Sequence, residues 1–271
     1  MPIKNAFIGV PVSPNLTNIP CTLFLMPRYH DAHGKIERAQ KHIVDLKTVI
    51  DALPDRYVAT IEIDPILGNL VIKHDIRDRD NVGTDLAVII GDAIHNLRCS
   101  LDYAWMETLQ RLTPSAITKY SKFPVYPSRD ELEKALRDPK RNLCPSLLKF
   151  VVSDIQAYKG GNHAIWPIHT LDIDDKHRLL IPVLKMAGID GIELENENGQ
   201  TTKGFAWGTT QEPPFFVPIE SGWHIKNKGH VSVAIIFDEE TPLYGLDVAD
   251  TLSTFTVFIL DIVQRMENLV P

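Results

Sequence analysis

Gly91-Asp92-Ala93-Ile94-His95-Asn96-Leu97-Arg98-Cys99-Ser100-Leu101-Asp102-Tyr103-Ala104-Trp105 lies in the middle of a helical pattern predicted from about Thr84 to Leu112. At about 100° per residue, Leu86, Ile90, Ala93, Ile94, Leu97, Leu101 and Ala104 share one side. Asp92, His95, Asn96, Cys99, Asp102 and Tyr103 fall on the other, within an arc of roughly 120°, with Arg98 at its margin. A solvated helix face usually carries Lys, Glu and Gln, long-chained residues that favour helix. This face carries short or rigid hydrogen-bonding groups, which lose little entropy when held. It reads as a polar face that meets something, on a helix whose opposite side is core.

Before this helix, a pattern from about Tyr29 to Leu53, closed by Pro54, places Ala32, Ile36, Ala39, Ile43, Leu46, Ile50 and Leu53 at alternating spacings of four and three. That is a heptad seam, and it predicts a helix packed along another helix. Residues 58–64 and 70–74 alternate apolar and polar around Asp64-Pro65-Ile66-Leu67-Gly68-Asn69, which predicts a hairpin. The charged run 73–80 reads as a solvated connector. Residues 1–27 are rich in Pro, Asn and Thr without a helical period and read as an extended arm, outside a single domain formed by residues 28–271.

After the central helix, Ser128 with Glu131 forms a capping box that opens a short helix to about Leu136. Residues 146–158 predict another helix, ended by Gly160-Gly161. A further helix over about 168–179 carries Asp172, Asp174, Asp175, Lys176, His177 and Arg178. From Leu180 to Phe237 the period becomes two, and Asn198-Gly199 and Lys228-Gly229 predict turns in an antiparallel sheet of about four strands. The chain closes on a helix from about Leu246 to Leu269, seamed by Leu252, Phe255, Ile259, Ile262 and Met266. Helices and strands are segregated. The expected fold is α+β: a helical bundle core with a β-hairpin insertion and a C-terminal antiparallel sheet followed by a final helix.

With 271 residues, 44% apolar and 23% charged, the chain has ordinary globular composition. A net charge of −7 argues against a broad electrostatic footprint on nucleic acid and leaves a local basic site open. Cys21, Cys99 and Cys144 are scattered and never form a CxxC pair, which excludes a disulfide framework and a cysteine zinc ribbon and fits free thiols in a reducing cytosol. No apolar run reaches bilayer-spanning length, and Pro2, Pro11, Pro14 and Pro20 break up any signal-peptide core, so a cytoplasmic protein without a membrane partner is expected. GxSxG, HExxH, Walker and GxGxxG motifs are absent.

Two constellations carry potential chemistry, and both are Asp-x-x-His: Asp92 to His95 and Asp174 to His177. On a helix this spacing puts carboxylate and imidazole on one face, one turn apart, where the carboxylate can fix a tautomer or both can bind a metal. Arg98 and Asp102, four apart, can pair on the helix. Cys99 lies beside His95, where a small buried residue is the commoner role of a free cysteine. Burying either polar set alone leaves unpaired charge, so the two motifs are expected to form one site, with Asp102 and Arg178 in a shared network. Its candidate catalytic residues are His95, Arg98, Asp102 and His177, and its candidate binding residues are Asp92, Asn96, Asp175 and Arg178. A metal-dependent alternative would draw on Asp92, His95, Asp102, Asp174 and His177 to hold a divalent transition metal; the leading reading needs no cofactor.

These residues also carry a resemblance. Gly91, Asp92, Ala93, His95, Asn96, Leu97, Arg98, Leu101 and Asp102, then Asp175, Lys176, His177 and Arg178, resemble a family of uncharacterised bacterial proteins with a GDAxHNLRxxLD helix and a later DKHR ahead of strands. That similarity covers roughly residues 30–268 and brings no established activity. A more distant resemblance is to HEPN helical-bundle proteins, whose ribonucleases use Arg, four to six residues, then His. The bacterial family often has His where this chain has Tyr103, so Arg98 to position 103 matches the spacing, but tyrosine is a poor proton shuttle at neutral pH. The resemblance implies a nucleic-acid-associated protein, a ribonuclease or a degenerate relative. In it Arg98 would hold phosphate, His95 or His177 would move protons and Asp102 would orient them, with RNA and a second copy of the chain as partners. A metal-dependent bundle enzyme and a non-catalytic binding or structural module are the other two expectations.

Overall fold

The computed structural model describes residues 28–76, 79–118, 121–139, 142–178, 183–209, 215–217, 219 and 221–271, with side chains left out at 55–59, 73–84, 177–187, 206–209 and 215–217. The predicted arm, residues 1–27, lies outside the described residues. Helix α1 spans His30–Asp51 and is followed by the short α2, Leu53–Arg56. Strands β1, Tyr57–Ile63, and β2, Leu70–Ile76, form the expected hairpin, paired from Tyr57 with Ile76 to Ile63 with Leu70. The central helix α3 runs Arg79–Leu112. Then come α4, Arg129–Leu136, α5, Pro145–Lys149, which continues as a π-helix over Phe150–Ile155, and α6, Ile165–Arg178. Strands β3, Val183–Asn196, β4, Thr201–Thr209, β5, Phe215–Val217, and β6, Trp223–Phe237, precede α7, Val248–Leu269.

The three heptad-like seams form one apolar cluster. Ala32, Ile36, Ala39, Ile43 and Leu46 of α1 meet Ile90, Ile94, Leu97 and Leu101 of α3 and Leu252, Phe255, Ile259, Ile262 and Met266 of α7, all buried. Each fully buried aliphatic side chain contributes roughly 1.5–3 kcal/mol relative to exposure, so these stripes supply the main drive for association. Tyr29, fully buried, pins the start of α1 to both neighbours. Its backbone N–H donates to Glu107 (2.9 Å), and its hydroxyl lies 2.8 Å from Thr108 Oγ1 and 3.2 Å from the Met266 carbonyl. The Ser128 cap is present, its hydroxyl accepting from the Glu131 N–H at 3.3 Å. The fold is α+β, with a bundle, a hairpin, an antiparallel sheet and a last helix that returns to the bundle.

Four details correct the sequence reading. The charged run 73–80 is divided between β2 and α3, and both elements extend into it. The helix begun at Pro145 ends at Ile155, with Gln156 left-handed at φ 58°, before Gly160-Gly161. The late sheet has three strands in the order β4-β3-β6, because β5 pairs with β2 and completes a second three-stranded sheet, β1-β2-β5. The two sheets share a small core in which Ile61, Leu70 and Ile72 meet Ile189, Ile192 and Leu194. Finally, Lys228-Gly229 is no turn but lies inside β6, next to a register shift between Glu193 and Leu194 on β3. Gly229 takes φ 71°, a conformation that suits a kink in a long strand as well as it suits a hairpin tip.

Gly229 is therefore structural. A side chain there would run into the Asp190 carbonyl oxygen of β3 and adopt a strained φ, whereas Gly204 in β4 has open space and no such conformation. Gly229→Ala should cost more than about 1 kcal/mol in urea unfolding, and Gly204→Ala should be within about 0.5 kcal/mol of the parent.

Candidate functional site

The polar face of α3 meets two neighbours, α6 on one side and α1 on the other. Against α6, His95 Nδ1 lies 2.9 Å from Asp172 Oδ1, and Arg98 Nε donates to His169 Nδ1 at 3.4 Å. The contacts run in opposite order along the two helices, so α3 and α6 are antiparallel. Gly91 leaves room for the Asp175 carboxylate, which a side chain at that position would overlap. The two motif-bearing helices do come together. They do so through His169 and Asp172, one turn before the DKHR segment.

Asp172 is only 4% exposed and has two cationic or protic neighbours, His95 and the Lys176 ammonium at 2.5 Å. An ionised carboxylate can only accept, so His95 donates from Nδ1, and in the neutral ring Nε2 keeps its lone pair. The Cys99 sulfur lies 3.4 Å from Nε2 and 4.0 Å from Nδ1. Such similar distances place it beside the ring, off the Nε2 lone-pair axis, which is not the nucleophile–base contact of thiol enzymes. Burial pushes the Cys99 thiol up, against a smaller lowering by Lys35. Cys99 and Cys144 are free thiols, and Cys21 lies outside the described residues.

Arg98 is 5% exposed and points its guanidinium inward. It donates to Asp102 Oδ1 at 2.6 Å, to the Phe123 carbonyl at 2.9 Å and to His169. Asp102 Oδ1 also accepts from the Phe123 N–H at 2.8 Å, so one ion pair holds both polar groups of the Phe123 backbone. Because Arg98 can only donate, His169 must accept at Nδ1 and carry its proton on Nε2. Burial, then Arg98, lowers the His169 pKa and holds the ring neutral.

Against α1, an open groove of about 570 Å³ runs beside the same face. Asp92, His95, Asn96 and Tyr103 line it from α3, and His30, Asp31, Lys35, Arg38 and His42 line it from α1. Lys35 Nζ donates to Asn96 Oδ1 at 3.3 Å, while Asn96 Nδ2 donates to the Asp92 carbonyl at 2.7 Å, which fixes the amide orientation. The His95 side chain is 39% exposed, so the imidazole reaches from its buried partner into this groove.

The structure thus brings together His95, Asn96 and Asp92 on the groove and turns Arg98 and Asp102 to the Phe123 backbone. Asp92 does not hold His95; Asp172 does. Asp175 packs against Gly91. The side chains of His177 and Arg178 lie outside the described residues, and so does the expected Asp102–Arg178 network; the described partners of Asp102 are Arg98 and Phe123. Among the described residues no group of three or more His, Cys, Asp and Glu side chains is arranged to hold a metal ion. Of the residues in the metal alternative, Asp102 is turned to Arg98 and His95 to Asp172, while the His177 side chain lies outside the described residues. No helix among the described residues is long and apolar enough to cross a membrane. Sequence reasoning missed His169, Asp172 as a partner, and the α1 residues Lys35, Arg38 and His42. The α1 stripe has helical spacing but looks like any solvated face.

Burial, then Asp172 and Asp92, raises the Asp175 pKa. The folded state therefore favours its protonated form: the stabilisation is complete below the ordinary carboxylate range and is lost as pH rises through the raised value. Asp175→Asn should stabilise the protein at pH 7.5, by less than about 1 kcal/mol because the group is only partly buried and solvent screens it, and the gain should vanish near pH 4. Urea unfolding at the two pH values measures this difference.

Comparison of the chain with protein-family models, with curated proteins and with solved structures gives no match.

Proposed function

We propose that this protein binds a phosphate-bearing ligand, single-stranded RNA in the first instance, in the groove between α1 and α3, and that His95 is its proton-transferring group. The observation that carries this reading is His95 itself: a buried carboxylate holds Nδ1, and the exposed side of the ring faces a groove that also presents Lys35 and Arg38. A carboxylate that orients an imidazole and stabilises its cation is the arrangement by which His serves as general acid and base. Lys35 and Arg38 supply the phosphate contacts, and the rigid Asn96 amide supplies a directional hydrogen bond. The distant HEPN resemblance supports the same substrate class, with phosphate binding moved from Arg98, which is engaged internally, to the two α1 cations.

The groove is not strongly basic. Asp31 and Asp92 offset Lys35 and Arg38, so a modest number of phosphates should be engaged. Labelled single-stranded RNA should bind at low salt and dissociate as salt rises. Lys35→Ala with Arg38→Ala should weaken binding by about tenfold or more. His95→Ala should remove cleavage while leaving binding in place, and Asp172→Asn should lower cleavage by about tenfold or more through loss of tautomer and orientation. Absence of RNA binding at low salt by the folded protein, across several sequences, overturns this reading.

A further inference from the structure

A second cavity, separate from the α1–α3 groove, lies on the opposite flank of the α3–α6 contact and encloses about 490 Å³. Its floor is apolar, with Trp105 and Leu109 of α3, Val125 and Leu143. Its polar lining includes the donors Arg98, His169 and Lys122 beside the Asp138 carboxylate. Phe123, whose ring meets Trp105 edge-on with centroids 5.9 Å apart, closes the side and is held by the Arg98–Asp102 pair.

We propose that this cavity is a binding site for a small organic monocarboxylate with an aromatic or branched apolar body, the carboxylate being held at Arg98 and His169.

Hydrogen-bond capacity supports this proposal. A guanidinium carries five N–H donors, and His169, Asp102 and the Phe123 carbonyl take three of those on Arg98 among the described residues. One N–H on each terminal nitrogen remains, on a side chain that is 6% exposed and lines the cavity. Buried donors of a charged group are costly to leave without acceptors, and a carboxylate offers two in one plane. His169, accepting at Nδ1, adds a donor at Nε2. Charge disfavours a dianion: among the described lining residues Asp102 already neutralises Arg98, and Asp138 lies on the cavity with Lys122, which leaves no net positive charge there for a phosphate dianion. The volume falls within the range of small-molecule sites, and the apolar floor sets the body of the ligand.

The test uses the full chain with 4-phenylbutyrate and its neutral analogue 4-phenylbutanol, followed by calorimetry and by Trp fluorescence. The acid should bind saturably and about tenfold or more tightly than the alcohol, the ratio expected for hydrogen bonds to a charged group. Val125→Trp, which fills the cavity from a partly exposed position, should abolish binding of the acid, and Lys122→Ala should weaken it. Lys35→Ala with Arg38→Ala should leave it unchanged, so this result stands or falls apart from RNA binding in the groove. Equal affinity for acid and alcohol overturns the proposal. So does binding that survives Val125→Trp in a protein that melts as the parent does, or absence of binding by the folded parent.

Discussion

Two buried charges of opposite sign, Arg98 on α3 and Asp172 on α6, constrain the rest of this structure. Neither is the other's partner. An uncompensated buried charge is disfavoured by several kcal/mol, so each must collect its own acceptors or donors. Arg98 obtains Asp102, the Phe123 carbonyl and His169; Asp172 obtains His95 and Lys176. In both sets one contact crosses the interface between the helices. Rotating α6 by a single residue would break both cross-helix contacts at once, although each charge would keep its partner on its own helix, so the pairing favours one register. Gly91 suits that register, because a side chain there would overlap the Asp175 carboxylate and displace it.

The apolar frame alone would not specify this much. Burial in the α1, α3 and α7 seams is non-directional, and heptad patterns of Ile, Leu and Ala tolerate sliding by a whole repeat with modest loss. The polar contacts add little net stability, since their desolvation cost roughly cancels their attraction, but they discriminate sharply between packings. The segment through Phe123 shows the same division of labour. Its ring fills apolar space against Trp105, while both polar groups of its backbone are matched to one ion pair, which places a loop as firmly as a strand ladder would.

What could be read in the sequence was what depends on neighbours a few residues away. The α1, α3 and α7 seams, the Ser128 cap and the Asn198-Gly199 hairpin are all local signals, and all are present in the fold. Lys228-Gly229 misleads because left-handed φ serves a kinked long strand as readily as a turn, and only the pairing with β3 distinguishes the two. The place of β5 beside β2 depends on a partner far away in sequence. In the site, the polar α3 face was legible from its short side chains. Its partners were not: Asp92 stands one turn from His95, yet the imidazole turns its Nδ1 to Asp172, where burial makes the same hydrogen bond more valuable. Lys35 and Arg38 stayed hidden for the opposite reason, since exposed cations on a helix are what any solvated face shows.

The short side chains that marked α3 in the sequence also determine how the two flanks of the helix differ. On the groove side, His95 and Asn96 are already held, by Asp172 and by Lys35 with the Asp92 carbonyl, so a ligand meeting them orders little. On the cavity side, Arg98 is held by three acceptors, and its charge is matched within one turn by Asp102. Both charges are therefore neutralised close to where they sit, Arg98 by Asp102 and Asp172 by Lys176. The field in the groove is then set by residues outside this network, Lys35 and Arg38 against Asp31 and Asp92. Substitutions on α1 can change charge selection in the groove without disturbing α6, whereas a change at Arg98 or Asp172 acts on the helix register before it acts on any ligand.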